Sequence, residues 1–159
     1  MNMNKSKTKV YAISIAISLA VGGLSALLTN MGMDSYRVAE KPALTPPEIL
    51  FPIVWTILYT LMGISAARIW ILSKDKQHNG GLLVYLVQLI VNFLWSVFFF
   101  NLQAYGFSFF WLLLLWVLII VMIVAFSKTD KLAAYLQIPY LLWVTFAAYL
   151  NFMVWMLNK

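Results

Sequence analysis

Five long apolar runs alternate with four polar breaks along this chain. The runs cover residues 10–29, 49–72, 82–100, 107–126 and 132–157. A helix crossing a bilayer needs about 20 mostly apolar residues, and each run supplies that length. Four of the runs carry no charge, and the second carries only Arg68, close to its end. The breaks are a long loop over residues 30–48 and the stretches "SKDKQHNGG", "NLQAYG" and "SKTDK", all rich in turn-forming residues. This pattern predicts an all-α integral membrane protein, a five-transmembrane-helix bundle forming a single domain over residues 1–159. The last run exceeds what a straight crossing needs, which predicts a tilt or a kink.

Polar residues inside the runs recur at helical spacing. Gln88, Asn92, Trp95 and Phe99 share one face of the third run. Gln and Asn are costly in lipid unless paired, so this face is expected to look into the bundle. The fifth run repeats the theme with Tyr140, Trp143, Ala147 and Asn151, and the second offers Trp55, Tyr59 and Gly63. In the first run Ser14, Ser18, Gly22, Ser25 and Thr29 form a small-residue stripe, and Gly63 with Ala67 forms another, both suited to close helix contact. Trp70, Trp155, Tyr11, Tyr105 and Tyr135 lie near run ends, where an interfacial belt is expected. Trp55, Trp95 and Trp143 lie deeper. They could fill the bundle, or line a pocket for a large, flat, mostly apolar ligand.

Two entrances contain proline. "TPPE" fits a capping box with Thr45 as N-cap and Glu48 at N3, and Pro46 and Pro47 leave two first-turn positions without an N–H. Pro52 and Pro139 are expected one turn inside their helices, where each would release a carbonyl and bend the axis.

Composition agrees with the hydropathy. Of 159 residues, 64% are hydrophobic and 10% charged, too apolar for a soluble domain of this size to hide. A net charge of +6 suggests nucleic acid in a soluble protein; here it reports topology instead. With five spans the termini lie on opposite sides. Lys5, Lys7, Lys9, Arg68, Lys74, Lys76, Lys128 and Lys131 fall on the N-terminal side, eight in all, against three (Arg37, Lys41, Lys159) on the other. The positive-inside rule then puts the N-terminus inside, and the C-terminus and first loop outside. A signal peptide is the rival reading of the first run, which has a basic start and small residues at "GGLSA". That run is longer than a typical signal core and carries a stripe to pack.

Catalytic chemistry is constrained by what the runs lack. There is no cysteine, no Asp or Glu within a run, and no metal cluster, phosphate loop, nucleophile–base pair or carboxylate pair. His78, the sole histidine, sits in a polar loop and reads as solvated. Acid–base, metal-hydrolytic and ion-coupled mechanisms are disfavoured.

Three stretches carry a resemblance. "YRVAEKPALTPPEILFPIVWTILYTLMG" resembles the first loop and second helix of the TspO or translocator protein family, the tryptophan-rich sensory proteins also called peripheral-type benzodiazepine receptors. "YLVQLIVNFLWSVFFF" is similar to its third helix and "IPYLLWVTFAAYLNFMVW" to its fifth, so the resemblance spans about residues 36–155. It implies a bacterial member of a commonly dimeric five-helix family that binds porphyrins and drug-like apolar ligands. Bacterial members are associated with light-dependent breakdown of protoporphyrin IX, mitochondrial ones with cholesterol. Carried over by position, the ligand-binding residues are Trp55, Tyr59, Asn92, Trp95, Trp143 and Ala147 beside Leu150, with residues 36–47, from Tyr36 to Pro47, as lid; Gln88 and Tyr140, on the inward polar faces of the third and fifth runs, join the candidate ligand-binding set. Trp55 and Trp143 are the candidates for photochemical catalysis. The resemblance implies no intrinsic cofactor and no metal. Protoporphyrin IX or a related tetrapyrrole is the implied ligand or substrate, membrane lipid and a second copy of the chain are the implied partners, and a bacterial plasma membrane is the location. Transport of tetrapyrroles and ligand-responsive sensing are the alternatives. Two departures stand out. Leu44 sits where the family often has Trp. The late-helix sterol motif has Tyr149 but no basic residue within five positions, with Phe152 and Met156 in its place.

Overall fold

The structure, a computed structural model, describes residues 3–74 and 79–159. Lys76 and His78, assigned above to a polar loop, lie outside the described residues. The described residues form seven α-helices, α1 (Met3–Thr29), α2 (Met33–Val38), α3 (Leu50–Leu72), α4 (Gly80–Ser96), α5 (Tyr105–Ser127), α6 (Lys131–Tyr135) and α7 (Ile138–Leu157). Among the described residues, five helical stretches are long and apolar enough to cross a membrane.

The helices close a ring. α1 packs along α3 and touches α4, α4 packs on α5, α5 on α6 and α7, and α6 returns to α3. α4 is the most buried span, with 44% of its apolar window inside the protein against 17% for α1. The small-residue stripes bring α1 and α3 close together. A Cβ added at Gly63 would sit 2.5 Å from the Ile15 Cα, and the Ser14 hydroxyl donates to the Gly63 carbonyl at 2.8 Å. The Ser18 and Tyr85 hydroxyls share a hydrogen bond of 2.6 Å, as do those of Ser25 and Ser96, tying α1 to α4. The serines thus serve as polar contacts as well as small residues.

Four local expectations are corrected. First, the polar loop does not begin at residue 30. A 3-10 turn (Asn30–Gly32) carries the helix on into α2, and Tyr36 is buried there against Phe99 and Phe100. Gly32 allows this, because a Cβ would meet the Phe100 carbonyl oxygen at 2.3 Å. Second, the capping box does not form. The Thr45 hydroxyl turns back to the Pro42 carbonyl at 2.8 Å, and α3 starts later, at Leu50, with no side-chain cap. Third, Pro52 therefore lies in the first turn of α3, where a missing N–H costs nothing. It does not release the Glu48 carbonyl, which accepts from the Phe51 amide at 3.2 Å. Fourth, Pro139 does not lie within one continuous helix, because the fifth span is interrupted. α6 ends at Tyr135 and α7 begins at Ile138, placing Pro139 in a new first turn after Gln137.

A π-helical segment (Val97–Asn101) follows α4, with the Leu102 amide reaching back to the Val97 carbonyl at 3.1 Å. The widened turn divides a run of phenylalanines. Phe98 packs on Phe107 and Trp111, while Phe99 and Phe100 face Tyr36. Tyr105, at the start of α5, rests its ring 5.2 Å from that of Phe99.

Asp130 secures the start of α6. Its carboxylate accepts from the Ala133 amide at 3.1 Å and from the Arg68 guanidinium of α3. The hydrogen bond from Arg68 holds its carboxyl below the usual carboxylate range, against the opposing effect of burial. The lowered value means the stabilisation is fully present above the ordinary carboxylate pKa and is lost as pH falls through the folded-state value. Asp130→Ala is expected to lower stability by about 1 to 2 kcal/mol. Asp130→Asn keeps the cap but should remove this group's acid sensitivity. Thermal unfolding in detergent at several acidic pH values checks both.

Candidate functional site

A cavity of about 600 Å³ lies inside one end of the bundle. α1 contributes Gly22, Ser25, Ala26 and Thr29. The segment through α2 contributes Asn30, Met33, Tyr36 and Arg37, and Glu48 and Ile49 come from just before α3. Phe51, Pro52, Trp55 and Tyr59 stand on α3; Asn92, Trp95, Ser96, Phe99 and Phe100 on α4 and its π turn; Trp143, Ala147, Leu150 and Asn151 on α7. Among the described residues α5 contributes nothing to the wall; it backs α4 and α7.

Aromatic rings make most of the interior. Trp55 lies 5.6 Å from Tyr59 and 6.4 Å from Trp95, centroid to centroid. Trp95 stacks on Phe99 at 5.6 Å. Trp143 packs edge-on to Phe51 at 6.0 Å. It also lines a shallower apolar groove between α3 and α7, with Val54, Ile57 and Pro139. The Trp143 ring therefore borders both spaces.

Buried polar chains fix these rings. The Tyr140 hydroxyl donates to the Gln88 Oε1 at 2.7 Å and accepts from the Asn92 Nδ2 at 2.9 Å. A hydroxyl has one proton to give, so this chain sets the Asn92 amide as donor to Tyr140, and its oxygen accepts from no donor among the described residues. The Trp95 Nε1 donates to the Asn151 Oδ1 at 3.1 Å; the same oxygen accepts from Ser108, and the Asn151 Nδ2 donates to the Tyr105 carbonyl at 2.8 Å. One asparagine thereby joins α4, α5 and α7. At the mouth, the Arg37 Nε donates to the Glu48 Oε2 at 3.2 Å and its Nη1 to the Asp34 Oδ1 at 3.1 Å. Beyond it, the Asn158 side chain pairs with both the amide and the carbonyl of Glu40, fastening the loop to the end of α7.

Residues 14–156 match the model of the TspO/MBR family. The chain belongs to that family. It is 37% identical to the tryptophan-rich protein TspO of Chlorobaculum tepidum over 98% of this chain and 99% of that one. It is 41% identical to protein CrtK of Rhodobacter capsulatus, over 77% of this chain and 78% of that one. The translocator protein of Sus scrofa is 30% identical over 93% of this chain and 90% of that one. TspO/MBR membership and five apolar helices make this an integral membrane protein with a five-span bundle.

In this TspO/MBR chain, Tyr36, Trp55, Tyr59, Asn92, Trp95, Trp143, Ala147 and Leu150 all reach the cavity. Three expected site residues do not. Pro47 is exposed on the loop, because α3 starts after it and leaves Glu48 and Ile49, themselves exposed, at the rim of the cavity instead. Gln88 and Tyr140 are buried one layer behind the wall, where they position Asn92. Sequence reasoning missed the α1 contribution, although its stripe was visible, and the Arg37–Glu48 pair, whose partners are 11 positions apart in a region without periodicity. Tyr140→Phe would strand the buried Gln88 oxygen and Asn92 amide, with an expected cost of about 1 to 3 kcal/mol. Combining it with Gln88→Leu should cost less than the sum of the single changes, as measured by thermal unfolding in detergent. Simple additivity would show that the three groups do not act as a chain.

Proposed function

We propose that this protein binds a porphyrin or related tetrapyrrole in the aromatic cavity and supports light-dependent degradation of protoporphyrin IX. The observation that carries the reading is the cavity itself: about 600 Å³, walled by Trp55, Tyr59, Trp95, Phe99 and Trp143, with few polar groups. Such a wall suits a large, flat, apolar molecule. The amide oxygen of Asn92 offers an acceptor to an N–H at the ligand's centre. The resemblance to porphyrin-binding members supplies the identity of the ligand.

The pigment supplies the chemistry by absorbing light, and the protein holds, orients and shields it. Trp55 and Trp143 are the readily oxidised side chains on facing helices, from which an excited porphyrin would draw an electron. The reading includes a homodimer and accommodates drug-like ligands of the benzodiazepine-receptor type. It places the chain in a bacterial plasma membrane, N-terminus inside, on the strength of eight basic residues against three. The cavity mouth then faces outward.

A second reading, movement of the ligand across or into the bilayer, draws on Trp143 bordering both the cavity and the groove between α3 and α7. The name of the porcine relative, translocator protein, points the same way. Porphyrin flux into sealed proteoliposomes above that of empty liposomes would favour it.

Illumination of the purified protein with protoporphyrin IX tests the first reading. Loss of porphyrin absorbance is expected to be fast in the wild type and slowed in Trp55→Phe and Trp143→Phe. Equal loss in all three would remove the photochemical role.

A further inference from the structure

The cavity wall is largely apolar, its interior polar groups such as Ser25, Asn92 and Asn151 are neutral, and its mouth carries a cation. Arg37 is the one basic side chain on the wall among the described residues, and Glu48 the one acidic side chain. Both are about half-exposed at the mouth, with side-chain exposures of 55% and 48%. The guanidinium is only partly used: Nε meets Glu48, Nη1 meets Asp34, and Nη2 makes no hydrogen bond among the described residues. Its planar fork is shaped for a carboxylate. Exposed ion pairs hold weakly, so Glu48 and Asp34 are replaceable partners. Lys41 adds positive charge close by, its Nζ 2.9 Å from the Arg37 carbonyl oxygen and 4.8 Å from the centre of the Tyr36 ring.

We infer that Arg37 is a carboxylate-recognition residue at the cavity mouth, exchanging Glu48 for an acid group on the ligand. The inference rests on the porphyrin reading and sharpens it. The preferred ligand has a flat apolar body and carboxylates along one edge, and it binds with that edge outward. Glu48 then has two effects. It holds the guanidinium over the empty mouth, and it sets a threshold that only a competing carboxylate overcomes. Neutral flat molecules fill the same aromatic space without engaging Arg37. The assignment separates two kinds of wall residue: aromatics that accept any flat body, and one cation that selects for acid.

The test compares protoporphyrin IX, a dicarboxylic acid, with its dimethyl ester, which has the same ring and no charge. Both are titrated against the full-length protein in one detergent, with binding to empty micelles subtracted. The wild type is expected to bind the acid about tenfold more tightly than the ester, a modest share of what a charge-assisted contact can give. Arg37→Gln should bring the acid down to the ester's affinity while leaving ester binding within about twofold. Retained ester binding also shows that the variant is folded. Glu48→Gln, which frees the guanidinium, should tighten the acid and leave the ester unchanged. Equal affinity of acid and ester for the wild type would overturn the inference, as would a parallel loss of both in Arg37→Gln. If neither porphyrin binds the wild type, the porphyrin reading falls and takes this inference with it.

Discussion

Every polar side chain sunk in the bilayer must find its partner inside the bundle. Hydrocarbon offers none, so a buried amide or hydroxyl left unpaired costs more than most single packing contacts contribute. This constraint orients α4. Gln88 and Asn92 cannot face lipid, and once they turn inward they take Trp95 and Phe99 with them. Tyr140 closes the chain from α7, and Asn151 gathers Trp95, Ser108 and the Tyr105 carbonyl. The aromatic wall is largely a consequence of where the hydrogen bonds had to go.

Satisfied polar chains also make the wall rigid, which is what a binding site for a flat body needs. Trp95 is held by its indole nitrogen and Asn92 by its amide. Trp143 and Trp55 are held by ring contacts and apolar packing, with no indole hydrogen bond among the described residues. The fixed and the adaptable sides of the cavity therefore lie on different helices. One buried side chain departs from the rule. Gln137, at the break between α6 and α7, is fully buried and both its amide atoms lack a partner among the described residues. It marks the place where the fifth span is least well satisfied.

The five spans were legible because lipid imposes length and hydropathy, and the polar stripe was legible because Gln88 and Asn92 have so few permitted environments. Backbone detail was hidden. The box pattern at Thr45 and Glu48 was locally sound, yet Thr45 bonds to Pro42 and Glu48 to Arg37, contacts that compete with the cap and are invisible in a four-residue pattern. The π turn over Val97–Asn101 has no sequence signal beyond three successive phenylalanines, and it determines which of them faces the cavity. Residues 30–48 read as one long polar loop; here Gly32 is small so that the Phe100 carbonyl can come close, and the helix runs on into α2. The α1 stripe was read as a packing surface. Its lower part serves that role, while Gly22, Ser25 and Thr29 also face the cavity.

The central claim is that this aromatic cavity is one saturable site for a flat tetrapyrrole. Spectroscopic titration of the wild-type protein with protoporphyrin IX, with haem and a sterol as competitors, tests it most directly. The account predicts a porphyrin spectral shift that saturates at one per chain, is displaced by haem and is indifferent to the sterol. A shift that grows without saturation, matching partition into empty micelles, would contradict it.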